Sequence, residues 1–89
     1  MKAKEGFRLR KLGSEHILVG EGLSQVNFNK MISLNSSATY LWESIQGKEF
    51  NVADLAQLLV DKYEIDMDLA MKDSDAIAKA WLEAGITEE

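Results

Sequence analysis

The chain has no cysteine, no proline and a single histidine among its 89 residues. Without cysteine there is no disulfide framework, no thiolate zinc site and no cysteine nucleophile. Without proline there is no Pro-rich linker, and no repeat or low-complexity segment divides the chain, so residues 1–89 are expected to form one domain. The lone His16 lacks a second imidazole or thiol with which to hold a metal. Nothing organises it with a serine and an acid into a nucleophilic triad, so it reads as a surface turn residue. Apolar runs are too short to span a bilayer. The N-terminus, "MKAKEGFRLRKL", is basic but carries no apolar segment of the kind a signal peptide needs. These absences suit a cytoplasmic protein with no membrane association.

Other chemical signatures fail on inspection. Gly20-x-Gly22 is followed by Leu and Ser rather than by a helix start, so it does not cradle phosphate. Asp66, Asp68, Asp73 and Asp75 are dense enough to resemble a calcium loop, but the Asp-x-Asp-x-Asp-Gly pattern and its closing Glu are missing. Trp42 and Trp81 sit among apolar neighbours at helical spacing and read as core. Neither a catalytic constellation nor a cofactor is expected. A chain this short has a modest core, with about 5 kcal/mol of stability.

What is present is a change of hydrophobic period. In "FRLRKLG", Phe7, Leu9 and Lys11 alternate with Arg8, Arg10 and Leu12; a "GSE" turn leads into "HILVGEG", predicting a hairpin over residues 7–20. Residues 24–30, "SQVNFNK", read as a polar loop, and "MISL" as a third short strand over 31–34. From Asn35 the period becomes 3.6. Asn35 or Ser36 caps a helix near 36–46 with Ala38, Leu41, Trp42 and Ile45 on one face, and Gly47 ends it. A second helix near 51–63 carries Val52, Leu55, Ala56, Leu59 and Tyr63, with Asp54 suited to its first turn. A third, near 68–84, turns Ala70, Ile77, Ala78 and Trp81 inward and stops at Gly85. Three strands followed by three helices predict an α+β, winged-helix-like domain.

Within that order, Leu34-Asn35, Ala38, Leu41-Trp42 and Gly47, then Val52, Asp54-Leu55, Leu59 and Tyr63, and finally Trp81-Leu82-x-x-Gly85-Ile86, resemble the PqqD family over roughly residues 5–87. PqqD is the small peptide chaperone of pyrroloquinoline quinone biosynthesis, and its fold is similar to elements that recognise leader peptides in ribosomally made, modified peptides. The resemblance implies a non-catalytic module. It would hold a precursor peptide and present it to a modifying enzyme, often a radical S-adenosylmethionine enzyme. The chain departs from the family at Leu34-Asn35-Ser36-Ser37, where an acid commonly follows the Asn. It departs again at the small residues Ala76, Ala78 and Ala80, where bulkier ones are frequent.

Elementary physics gives the same role a mechanism. A short strand at a sheet edge offers unpaired N–H and C=O groups to an extended peptide. The peptide is therefore expected along Lys30, Met31, Ile32 and Ser33. Asp73, Ala76, Ile77 and Ala80 lie three or four residues apart and share one helical face, which would form the other wall of a groove. The rival reading is a winged-helix DNA-binding regulator. Charge argues against nucleic acid: residues 66–85 hold five acids (Asp66, Asp68, Asp73, Asp75, Glu83) against Lys72 and Lys79, a net of −3 on the helix that would face phosphates. Across the chain, residues 1–33 carry six Lys/Arg against three acids and residues 34–89 four against twelve, so +3 faces −8. Such halves can present opposite charges to a partner. An open strand edge also allows a homodimer.

Overall fold

The structure, a computed structural model, describes residues 1–4, 6–20 and 31–88, with Met31 described by its backbone alone. The segment read as a loop, 24–30, and with it Lys30, lies outside the described residues. The order is β1 (Lys2–Ala3), β2 (Phe7–Leu12), β3 (Glu15–Gly20), β4 (Met31–Leu34), α1 (Ser36–Ser44), α2 (Val52–Tyr63), α3 (Met67–Ala84) and β5 (Thr87–Glu88). This is the α+β arrangement of a three-stranded sheet followed by three helices.

β2 and β3 pair antiparallel, with Leu12 opposite Glu15, which leaves Gly13 and Ser14 as a two-residue turn. Gly13 has φ +63°. A positive φ at the first central residue is where hairpin loops demand glycine. β4 pairs with the other side of β3, in the order β2-β3-β4. Register places Leu9, Leu18 and Ile32 in one cross-strand row. Leu18 in that row is fully buried, and Leu34 next along β4 is buried too. The opposite face carries exposed Arg8 and Arg10 across from half-buried Val19 and Ile17, so alternation turns Leu9 and Leu18 in and the two arginines out.

Each helix is started by a side chain that accepts an otherwise orphaned backbone N–H. Asn35 Oδ1 accepts from the Ala38 N–H at 2.8 Å, and Asp66 Oδ1 accepts from that of Leu69 at 2.8 Å. At α2 the exchange is reciprocal: Asn51 Oδ1 accepts from the Asp54 N–H and Asp54 Oδ2 from the Asn51 N–H. That is a capping box. Gly85, at φ +77°, closes α3. Its N–H donates to the Leu82 carbonyl while the Ile86 N–H reaches back to Trp81, which seats Ile86 fully inside. α2 ends differently, on Glu64 at φ +55°. α1 stops at Ser44, two residues short of the expected end.

The core lies between the inner face of the sheet and the helices. Trp42 meets Trp81 edge-on, ring centroids 5.3 Å apart, and Phe50 meets Trp81 at 6.2 Å. Ala70, Ser74, Ala78 and Trp81 form the buried row of α3, and the small side chains of the first three let the helix approach closely. The Ser74 hydroxyl has no hydrogen-bond partner there. A second sheet was not expected from the sequence. β1 pairs with β5, placing Ala3 opposite Thr87. The Met1 ammonium donates to the Phe50 carbonyl at 2.7 Å, and the Phe50 N–H donates back to the Met1 carbonyl at 2.8 Å. The N-terminal segment thus joins β5 on one side to the loop between α1 and α2 on the other.

Candidate functional site

β4 is the edge of its sheet: β3 takes one side, and among the described residues no strand takes the other. The strand stops after Leu34 because Asn35 turns its side chain to cap α1, converting the backbone from extended to helical within one residue. A cavity of about 530 Å³ opens at that junction. Among the described residues three segments line it. Asn35 and Ser37 come from the cap and first turn of α1, Leu59, Tyr63 and Ile65 from α2 and the turn after it, and Asp73, Ala76 and Ile77 from α3.

The apolar wall is built by helix periodicity. Leu59 and Tyr63 are one turn apart, and so are Asp73 and Ile77. Leu59 is buried at the base, Ile77 half-buried, and Tyr63 exposed at the rim. Tyr63 is braced from behind by Tyr40, whose ring it meets edge-on at 6.3 Å. Lys62 in turn places its ammonium 4.9 Å from the centre of the Tyr40 ring, an arrangement favoured by the ring quadrupole. The aromatic side of the cavity is therefore held in place.

The polar groups of the lining differ in what they have left to offer. Asn35 Oδ1 already accepts from Ala38, and the Ser37 hydroxyl donates to it at 3.2 Å. On α3, Asp75 pairs with Lys79 at 2.9 Å. That hydrogen bond and the charge behind it raise the Lys79 ammonium above its ordinary pKa. Asp73 has no ion-pair partner among the described residues. The chemistry on offer is recognition: an apolar slot with one unengaged carboxylate, beside an open row of backbone groups. Among the described residues no cluster of three or more His, Asp or Glu could hold a metal, and no helix is long and apolar enough to cross a membrane.

Of the residues expected to form a site, Met31, Ile32 and Ser33 fall on edge strand β4, and Asp73, Ala76 and Ile77 come together in the cavity wall. Ala80 is exposed one turn further along α3 and does not line the cavity. The opposite side, Leu59, Tyr63 and Ile65, was not expected as a site, nor was the mouth at Asn35 and Ser37. Leu59 and Tyr63 belonged to the apolar stripe of the second helix, and Asn35 to its capping role. The available signal was Tyr63, too polar and too near the helix end to be plain core.

Comparison with known proteins places these features in context. The family model described as "Coenzyme PQQ synthesis protein D (PqqD)" matches residues 15–86. The fold is similar to a solved structure described as "TbiB1 in Complex with the TbiA(beta) Leader Peptide", with a TM-score of 0.74, 14% sequence identity, and coverage of 99% of this chain and 95% of that one. Among curated proteins there is no match.

Proposed function

The chain belongs to the PqqD family, and from that premise we propose that it is a non-catalytic peptide-binding chaperone. It takes the leader of a ribosomally made precursor peptide as an added strand along β4 and presents it to a modifying enzyme. The expected enzyme is a radical S-adenosylmethionine enzyme, and the setting the cytoplasm. The observation that carries this reading is the coincidence of an open strand edge with a lined cavity at the end of the same strand. Backbone pairing along the edge supplies affinity for any extended segment, and the cavity supplies selection. The fold is shared with a protein whose structure holds a leader peptide, which supports the same use of the scaffold.

A winged-helix-like layout also suits DNA, but α3 is the wrong sign. Its acids repel phosphates, and few counterions would be released on contact. The test is fluorescence anisotropy with two labelled probes at physiological salt: a synthetic leader of a precursor encoded beside this gene, and a DNA duplex of arbitrary sequence. The leader is expected to bind saturably and the duplex not at all. Nanomolar duplex binding with a steep salt slope would overturn the reading.

A further inference from the structure

We infer that Asp73 is a specificity-determining residue, which selects leaders carrying a lysine or arginine two positions from a large apolar side chain. The inference rests on the peptide-binding reading above and adds to it the chemistry of the ligand.

The cavity distinguishes its lining groups clearly. Leu59, Ile65 and Ile77 form the apolar lining, with Tyr63 exposed beside them. Asn35 Oδ1 already accepts from the Ser37 hydroxyl and the Ala38 N–H, and both side chains are neutral. Asp73 remains as the one carboxylate among the described residues of the lining. Its isolation is built into the sequence. A cation on the same helix neutralises an acid from three or four residues away. Asp75 has Lys79 at that spacing and pairs with it. Around Asp73 those positions are Leu69, Ala70, Ala76 and Ile77, all apolar. Lys62, the cation on α2, lies over Tyr40. An ionised carboxylate accepts hydrogen bonds and donates none, so the complementary group on a ligand is a donor, and best a charged one.

The spacing follows from matching two periodicities. Asp73 and Ile77 stand one helical turn apart on α3, about 5–6 Å between neighbouring side chains. On an extended peptide, residues i and i+2 point to the same side, about 6.6 Å apart at 3.3 Å per residue. A peptide that sets an apolar residue against Ile77 therefore brings the residue two positions away to Asp73. The net charge of −3 over residues 66–85, α3 with its N-cap Asp66, works in the same direction, disfavouring acidic leaders.

The experiment is selection from a displayed library of random linear peptides, run in parallel on the wild-type chain and on D73K. Position 73 is exposed, and circular dichroism of the variant confirms that it folds. D73N serves as the charge-neutral control. The wild-type chain is expected to enrich a large apolar residue with Lys or Arg two positions away. D73K is expected to keep the apolar preference and exchange the basic one for Asp or Glu. The wild-type consensus peptide should bind D73K about tenfold more weakly, because like charges now face each other. A consensus with an apolar anchor but no basic preference, unchanged in D73K, would overturn the role of Asp73 and leave peptide binding intact. Failure to enrich any peptide would remove the peptide-binding reading and this inference with it.

Discussion

Trp42→Ala is expected to abolish cooperative unfolding of the domain. Trp42 is 3% exposed on α1 and meets Trp81 of α3 edge-on at 5.3 Å, and Phe50 packs against the same ring. The indole thus joins the first helix to the last through an aromatic cluster at the centre of the core. Truncating a buried tryptophan costs about 3–5 kcal/mol, made up of lost burial and the cavity left behind. A domain of this size has about 5 kcal/mol in total. The variant should retain part of its helical circular dichroism and lose its sharp urea transition. A variant that melts like the parent would show that the Trp42–Trp81 contact does not hold the helices together.

The second large effect concerns binding rather than stability. Ala76 is exposed and lines the cavity wall between Asp73 and Ile77. Replacing it with tryptophan puts an indole into space that the ligand's apolar side chain needs, a steric block rather than the loss of an attractive contact. Because the position is on the surface, stability should stay within about 0.5 kcal/mol of the parent. Leader affinity measured by titration calorimetry should fall at least tenfold, roughly 1.4 kcal/mol. The same replacement at Ala80, one turn beyond the cavity, should weaken binding less. Equal affinity for the leader in a folded Ala76→Trp variant would move the ligand away from this cavity.

The parts of the molecule legible in sequence are those with a local physical cause. The hairpin followed from alternation in "FRLRKL" and the glycine turn. The start of α1 followed from Asn35, whose short polar side chain satisfies the backbone donor three residues on, as Asn51 and Asp66 also do for α2 and α3. Glycine at 85 marked the end of α3 because only it takes φ +77° without strain. What stayed hidden depends on distance rather than on neighbours. The β1–β5 pair is two residues on each side, too short for any periodicity. The end of α2 at Tyr63 was legible, but not its closure by Glu64, a residue that gives no stop signal yet adopts φ +55°. Ser74 was not read as core because a serine in a helix looks like surface, whereas here it is a small residue in the close-packed row of α3.

The site shows the same division. Asp73, Ala76 and Ile77 could be grouped in advance because one helix face brings them together at fixed spacing. Leu59, Tyr63 and Ile65 reach the same cavity from a different helix, and no spacing along the chain encodes that meeting. Ala80 was included because periodicity alone cannot say where a wall ends. The packing of α3 on α2 decides it, and it leaves Ala80 outside.

On the proposed reading a leader adds as a strand to β4. Amide hydrogen exchange followed by NMR, with and without saturating leader, tests it most directly. In an antiparallel or parallel pair alternate residues of the edge strand donate to the newcomer, so alternate amides within residues 31–34 should exchange markedly more slowly in the complex. Resonances of Asp73, Ala76 and Ile77 should shift in the same titration. Saturable leader binding that leaves exchange along β4 unchanged would contradict strand addition.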